Sequence, residues 1–235
     1  MDEARTFQPF GPAHLLAIVL TAALPFVLAG FIRKRKSSGG EKIVGRLLAG
    51  LLVVNYLGYA VYLRQSGNFL WENTLPCQLC DWAMVAVIVA LLTGRERWLE
   101  VAYFWGIGGT LQAIITPNLR YGFPDVRFWS FFIGHSGIVI GILFLMLVRN
   151  FRPHFKSLWR VILWSEIYFV VTIIIDLITG VNYGFLLHKP EAASLLNILS
   201  DNWFIYLFQM HLVAWVFFLA LYAPFAVYDL LKRGE

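Results

Sequence analysis

The sequence predicts an all-α, polytopic integral membrane protein with seven transmembrane helices, an external N-terminus and a cytoplasmic C-terminus. Three observations predict this fold. Of the 235 residues, 59% are hydrophobic and only 14% are charged, whereas soluble domains carry about 25% charged residues. The apolar residues form blocks of about 16 to 24, the length that crosses a hydrocarbon core of about 30 Å. The cations are divided unevenly between the connectors, which sets the orientation.

Seven apolar spans follow one another, and no polar insertion between them is long enough to fold separately. Residues 1–235 are therefore expected to form a single transmembrane domain. Helices are expected because every backbone polar group in lipid must be satisfied within the chain, and the spans lack the alternation of barrel strands. The predicted spans are about Ala13–Ile32, Ile43–Leu63, Leu79–Leu92, Leu99–Thr116, Phe128–Val148, Leu158–Thr179 and Trp203–Tyr222.

The basic residues orient these spans in the cell membrane. Of the 19 Lys and Arg residues, 14 follow the first, third, fifth or seventh span, and 5 lie on the other side. Cytoplasmic loops carry the excess of cations, so the richer side is assigned to the cytoplasm. The net charge of +5 predicts no nucleic-acid partner, because the cations lie in loops and form no stripe on a soluble face.

Polar side chains within the spans are concentrated in the predicted outer halves. Ionisable groups in spans are costly and usually face a bundle interior or a cavity. The layer therefore predicts a polar cavity open toward the outer leaflet, although a single histidine can also serve as a contact between helices. The inner halves contribute little except Ser165 and Glu166, which are placed near the inner interface. The layer consists of His14, Asn55, Tyr59, Asp81, Gln112, Thr116, Asp176, Gln209 and His211, together with Cys77, Cys80 and His135.

Two cysteines open the third span. Thr74 is expected to cap this helix and Pro76 to lie in its first turn, which puts Cys77 and Cys80 on one helix face. A thiol at a helix N-terminus ionises more readily, and a thiolate beside a histidine is the basic arrangement for covalent acyl transfer. We therefore expect one cysteine to act with His135 of the fifth span.

Three other interpretations of the cysteines stay open. They are small apolar core residues, a CxxC redox pair at the oxidising face, or metal ligands together with His135 or His211. The string Pro76-Cys77-Gln78-Leu79-Cys80 resembles the quinone-coupled disulfide oxidases of the DsbB type, but that family's following arginine and second cysteine pair are absent. Two thiols alone are a weak zinc signal, so no metal and no cofactor is predicted.

Several longer strings carry a second resemblance, from about Phe10 to Pro224. They are Phe10-Gly11-Pro12-Ala13-His14, Leu75-Pro76-x-x-Leu79-Cys80-Asp81, Tyr103-Phe104-Trp105-Gly106, Gly109-Thr110-Leu111-Gln112-Ala113, Thr116-Pro117, Tyr121-Gly122-Phe123-Pro124, Gly134-His135-Ser136-Gly137 and Thr179-Gly180-Val181-Asn182-Tyr183-Gly184-Phe185-Leu186, closing with Lys189-Pro190. In this order they resemble the YwaF-type bacterial membrane proteins. Those proteins are distantly similar to the animal transmembrane protein 164 family.

The resemblance implies an activity. The animal relatives are regarded as cysteine-dependent acyltransferases that remodel phospholipids. Their nucleophile corresponds to Cys77 and their histidine to His135, whereas the bacterial branch usually has its cysteine at the position of Cys80. This chain departs from the pattern at Gln78, where both branches tend to have histidine, and at Asn118, where an acidic residue is usual. The identity of the nucleophile stays open between the two cysteines.

The predicted function is an intramembrane thiol enzyme that transfers or hydrolyses acyl groups of membrane lipids. His135 would act as the base, and Gln112, Asn182 or backbone amides would hold the oxyanion. Asp176 or His211 would orient groups or line the cavity, to which the connector also contributes Tyr183. The alternatives are a thiol-disulfide oxidoreductase using Cys77 and Cys80, and a non-catalytic membrane protein that binds lipids or solutes.

Overall fold

The computed structural model describes residues 6–35, 39–70, 75–190 and 194–233, and these are mostly helical. The fourth helix changes to a π-helical turn part-way along its length, over Gly106–Thr110. The helices are α1 (Pro12–Arg35), α2 (Gly40–Gln65), α3 (Leu79–Thr93), α4 (Glu96–Trp105, then the π turn and Leu111–Ile115), α5 (Val126–Arg149), α6 (Phe155–Thr179) and α7 (Trp203–Arg233).

Each of the seven predicted spans corresponds to one helix. Helices α1, α2, α5, α6 and α7 are long and apolar enough to cross a membrane, and α3 is a shorter apolar helix. The protein is therefore a multi-pass, all-α membrane protein, which confirms this part of the prediction. Helix α6 begins at Phe155, three residues before the predicted start near Leu158.

Left-handed residues end several of the helices. Gly94 closes α3 with a φ of 70°, and Gly180 closes α6 with a φ of 72°. Glycine adopts this conformation without the steric penalty that a Cβ atom brings. Asn150 takes the same role after α5, with a φ of 51°. Gly94, Asn150 and Gly180 are thus the C-caps of their helices.

Helix α5 lies at the centre of the bundle and packs against α1, α2, α3 and α4. Small residues permit this close approach. A Cβ atom on Gly137 would lie 2.8 Å from the Leu52 side chain, and one on Gly141 would lie 3.0 Å from Val87. Helix α7 lies at the edge, where it packs mainly against α6 and the π turn of α4.

The bundle has two distinct ends. At the C-terminal end, where α1, α3 and α5 finish, Arg149 is paired with Glu41 and donates to the Gly94 carbonyl at 2.5 Å. At the N-terminal end, where α1, α3, α5 and α7 begin, a β-bridge joins Thr6 to Tyr121. The connector after α6, residues 180–202, covers part of this N-terminal end. The two cysteines also lie here, beside that connector.

Candidate functional site

The cysteine-bearing turn precedes a helix that starts later than the sequence indicated. Gln78 is the N-cap of α3, and Asp81 completes a capping box by accepting a hydrogen bond from the Gln78 amide at 3.0 Å. Cys77 therefore lies before the helix, and Cys80 is its second residue. The prediction that both sulfurs share one helix face is wrong, because this cap fixes the helix start at Leu79. The predicted cap, Thr74, lies outside the described residues.

A cavity of about 540 Å³ lies beside this turn. Its walls come from α2, the start of α3, the α4–α5 connector, α5 and the connector after α6. Its lining combines part of the polar layer that the sequence predicted with several apolar side chains. The lining residues are Asn55, Tyr56, Tyr59, Leu75, Gln78, Cys80, Asp81, Met84, Asn118, Leu119, Arg127, Ser130, Phe131, Gly134, His135, Ile138 and Tyr183.

His135 lines this cavity and has one unprotonated ring nitrogen. Its Nδ1 lies 2.8 Å from the Phe131 carbonyl oxygen, and its ring stacks on the Phe131 ring with centroids 4.1 Å apart. A carbonyl oxygen only accepts hydrogen bonds, so Nδ1 must carry the proton. The neutral ring then has its lone pair on Nε2, which makes no hydrogen bond within the part of the chain that the structure describes. This nitrogen is suited to accept a proton.

The two cysteines differ in their access to the cavity. Cys80 lines it together with His135, and the buried hydroxyl of Thr110, on the π turn, faces the Cys80 thiol. That hydroxyl makes no hydrogen bond within the described ranges. Cys77 is buried and does not line the cavity, and its carbonyl oxygen accepts a hydrogen bond from the Tyr168 hydroxyl at 3.2 Å. The cavity therefore brings Cys80, and not Cys77, together with His135.

The electrostatics of Cys77 also differ from the expectation. The sequence predicted that the helix N-terminus would make this thiol easier to ionise. Instead, burial raises the pKa of the Cys77 thiol, and the Asp81 and Asp176 carboxyl groups raise it further. The physical reason is that the helix starts two residues later, so its free N–H groups do not surround Cys77. Burial opposes thiolate formation generally, so a thiol in this bundle needs a base that takes its proton.

Whereas the sequence analysis predicted Gln112 or Asn182 as the amide donor, the side-chain amide at the cavity wall belongs to Gln78. Its Oε1 accepts a hydrogen bond from the Gly184 amide at 3.1 Å, which leaves its own N–H groups as donors at the cavity wall. Gln112, the predicted donor, is exposed and donates to the Gly108 carbonyl at 3.2 Å. The sequence did contain a signal for Gln78, since a polar residue followed three positions later by Asp81 is a capping-box pattern.

Asp176 lies behind the cavity wall. It is fully buried, its Oδ1 accepts a hydrogen bond from the Tyr183 amide at 2.9 Å, and its Oδ2 has no hydrogen-bond partner among the described residues. Tyr183 itself lines the cavity and is 1% exposed. The expectation that Asp176 and His135 line one cavity is therefore wrong, but Asp176 does hold the tyrosine that forms part of its wall.

Three other expected cavity residues make structural contacts. His14 is buried, with Nδ1 accepting from the Phe10 amide at 2.8 Å and Nε2 lying 2.8 Å from the Ile114 carbonyl. Asn182 bonds within its own connector, accepting from the Leu187 amide at 2.9 Å. Gln209 accepts from the amide of Ser200 at 2.7 Å. None of these three lines the cavity.

His211 lies in a different region, between α4, α6 and α7. Its Nε2 is 3.2 Å from Oε2 of Glu166, and its Nδ1 is 2.7 Å from the Leu207 carbonyl oxygen. The sequence placed Glu166 near the inner interface, apart from the polar layer. In the structure Glu166 is the twelfth of the 25 residues of α6, and its side chain meets His211.

Among the described residues, no group of three or more His, Cys, Asp or Glu side chains is placed to hold a metal ion. Asn55, Tyr56, Tyr59 and Asn118 are cavity residues that the sequence did not assign to the site, although Asn55 and Tyr59 fall in its polar layer. What the arrangement offers chemically is a thiol, a neutral imidazole and amide donors around one polar space.

Comparisons with known proteins place the chain in a family. A sequence model described as the TMEM164 family matches residues 9–222. An uncharacterized protein from Treponema pallidum (strain Nichols) is 23% identical over 226 residues, which cover 93% of this chain and 90% of the relative. No solved structure matches the chain. Because the family match runs through nearly the whole helical bundle, the chain belongs to the TMEM164 family.

Proposed function

We propose that the protein is an intramembrane thiol enzyme that transfers or hydrolyses acyl groups of membrane lipids, with Cys80 as nucleophile and His135 as base. One observation carries the proposal. Cys80 and His135 line the same cavity, and Nε2 of His135 makes no hydrogen bond with the described residues. A thiol next to a positioned base is what covalent acyl transfer requires. The resemblance of the sequence to cysteine-dependent acyltransferases supports the same chemistry.

The proposed reaction has two halves. Nε2 of His135 takes the proton from the Cys80 sulfur, and the thiolate attacks the ester carbonyl carbon. The ester C–O bond breaks as His135 returns the proton to the leaving alkoxide, and an acyl thioester forms on Cys80. An alcohol or water molecule then gives its proton to the same nitrogen and attacks the thioester, which regenerates the thiol.

The oxyanion in each half would be held by the Gln78 amide. Its N–H groups are left to donate because Gly184 holds its Oε1. Donors fixed before the reaction stabilise developing charge without reorganising, and this is often a large part of catalysis. Because Asp81 also holds the Gln78 backbone, the amide lies on a turn that is tied at both ends.

We also propose that all seven helices cross the membrane, with the N-terminal end of the bundle outside the cytoplasm. The placement of 14 of 19 cations at the opposite end supports this orientation. In a chain that lacks both native cysteines, Asn68→Cys should react with an impermeant maleimide on intact cells. Reaction at Arg95→Cys without reaction at Asn68→Cys would reverse the orientation.

The experiment for the chemistry is turnover of a phosphatidylcholine by purified protein in nanodiscs, followed by mass spectrometry of lysolipid and fatty acyl products. Cys80→Ala should lower turnover by at least about 100-fold, because the attacking atom is lost. Cys77→Ala is the matched control, since it removes the same atom three positions away. Its loss should stay below about tenfold, the cost of a small buried void.

Other outcomes would remove the proposal. Equal losses for Cys77→Ala and Cys80→Ala, together with a disulfide between them in a thiol-trapping gel, would favour a redox pair, because disulfide exchange needs both sulfurs. If no lysolipid forms above the level of a protein-free control and both thiols are free, the result would favour a non-catalytic binding protein.

A further inference from the structure

A second cavity lies on the other side of the cysteine-bearing turn. It is a slot of about 220 Å³ between α4, α6 and α7. Its walls are largely aromatic and aliphatic, and the glycines of the π turn leave room in one of them: a Cβ atom on Gly109 would reach only Leu79, at 3.6 Å. Short π-helical turns inside α-helices often mark functional sites. Apart from the indole groups of its tryptophans, the polar side chains in this slot are Ser165, Glu166, Tyr168 and His211.

The Glu166–His211 pair holds one shared proton. Nδ1 of His211 lies 2.7 Å from the Leu207 carbonyl oxygen, so Nδ1 carries a proton and donates it. The contact between Nε2 and Glu166 Oε2 at 3.2 Å then needs one more proton, on either atom. The pair is an imidazolium with a carboxylate, or an imidazole with a carboxylic acid. Both forms are neutral overall, which suits a lipid environment.

The free edge of this pair is a hydrogen-bond acceptor in both forms. Oε2 of Glu166 faces His211, and Oε1 accepts no hydrogen bond from the described residues. With the proton on either partner of the contact, Oε1 still has lone pairs and no hydrogen. The Glu166 side chain is 43% exposed and borders the slot. A ligand that meets this edge must therefore bring a donor.

The depth of the Glu166–His211 pair restricts the class of ligand further. Glu166 is six residues beyond Arg160, the last cation at the start of α6, about 9 Å along the helix at 1.5 Å per residue. Counted from Arg160, that is well inside a hydrocarbon core of about 30 Å. A charged headgroup does not reach that depth without a large desolvation cost, whereas a hydroxyl group on a long apolar chain does.

We propose that the slot binds a long-chain lipid alcohol, with its hydroxyl group donating to Oε1 of Glu166 and its chain lying against the aromatic walls. His211 holds the carboxyl group in place, and its own orientation is fixed by Leu207. The site is separate from the proposed thiol chemistry, because it uses neither Cys80 nor His135. It therefore stands or falls independently of the proposed function.

The test uses a photoreactive diazirine analogue of hexadecanol and its methyl ether, with the full-length protein in nanodiscs. After illumination, mass spectrometry locates the label. The alcohol should label slot residues such as Phe169, Met210 and Trp215 about tenfold more than the ether does, since a hydrogen bond to a carboxylate is worth this factor. Equal labelling by the two probes would mean ordinary acyl chains occupy the slot and would overturn the proposal.

Two substitutions of one residue provide the matched controls. Glu166→Leu fills the same volume without an acceptor and should abolish the preference for the alcohol. Glu166→Gln keeps a carbonyl oxygen at the free edge and an amide that donates to His211, so the preference should fall by no more than about threefold. A preference that survives in Glu166→Leu would refute the assignment. The comparison of probes on the unmodified protein needs no variant and no turnover.

Discussion

The polar cavity and the slot each contain a histidine that is oriented by a backbone carbonyl of its own helix, but the chemistry proposed for the two sites differs. His135 and His211 each direct Nδ1 to the carbonyl oxygen four residues earlier in their own helix, at 2.8 and 2.7 Å. This contact fixes the tautomer in both cases. The second nitrogen differs, because Nε2 of His135 meets no described partner, whereas Nε2 of His211 meets Glu166.

The comparison shows that the partner of Nε2, and not the histidine or its helix, separates the two sites. An imidazole with a free lone pair beside a thiol is a base. An imidazole that already shares a proton with a carboxyl group has no such capacity, but it fixes that carboxyl group for binding. The same histidine–carbonyl contact thus occurs in a proposed catalytic site, with His135, and in a proposed binding site, with His211.

The largest expected effect is on the base. His135→Asn keeps a side-chain N–H near the Nδ1 position for the Phe131 carbonyl but has no basic nitrogen. Turnover of an acyl lipid should fall by at least about 100-fold, the lower range for losing a general base. The measurement is initial rate by mass spectrometry at saturating lipid.

The matched change in the slot is His211→Asn, which keeps the equivalent contact to the Leu207 carbonyl. Its effect on turnover should be at least tenfold smaller than that of His135→Asn, because it removes no base. Equal losses at the two positions would erase the distinction between the cavities.

A smaller effect is expected on the free energy of unfolding, and for this quantity we expect His211 to matter more than His135. His211→Leu leaves Glu166 without its partner and should destabilise the fold by about 1 to 2 kcal/mol. Adding Glu166→Leu should recover most of that loss, because replacing both members of a pair is often neutral. His135→Leu should change stability by less than about 1 kcal/mol, since no partner of Nε2 is lost.

Reversible unfolding in mixed detergent micelles measures these values, and the double-mutant cycle isolates the pair. If His135→Leu costs as much as His211→Leu, its Nε2 has a structural partner, and the proposed base is occupied.

The helices and the grouping of several site residues were predictable from sequence, because both depend on the length and hydropathy of local segments. Depth placed Cys80, Asp81 and His135 in one layer, and the structure brings them to one cavity. Depth does not say which way a side chain faces around its helix. This is why Gln112, at the right depth, lies outside the cavity.

Other features depended on contacts that no local pattern contains. The start of α3 at Leu79 follows from the Gln78–Asp81 cap, which separates Cys77 from the helix. Glu166 gains its role from His211, 45 residues further along the chain.

The smallest expected effect concerns the connector 180–202, which contributes to both cavities through Tyr183 and Gly184. Lys189 lies 2.6 Å from Asp201 and lowers the pKa of that carboxyl group. A depressed pKa in the folded state means that the pair stabilises the connector above about pH 4 and stops doing so as the pH falls through that lowered pKa.

Hydrogen exchange of connector peptides, corrected for the intrinsic rate, should therefore rise by less than about threefold between pH 6 and pH 3, as befits an exposed pair. In Asp201→Asn, the connector peptides should already exchange at pH 6 at the corrected rate that the unmodified protein shows at pH 3. A pH response that persists unchanged in Asp201→Asn would assign it to another group.

The central claim is that Cys80 carries the acyl group with His135 as its base. The direct measurement is to mix the protein with an acyl lipid, quench with acid within one turnover and locate acylated peptides by mass spectrometry. The account predicts an adduct on the Cys80 peptide that hydroxylamine removes, as it does a thioester, and that does not form in His135→Asn. An adduct on Cys77, or equal acylation of Cys80 in His135→Asn, would contradict it.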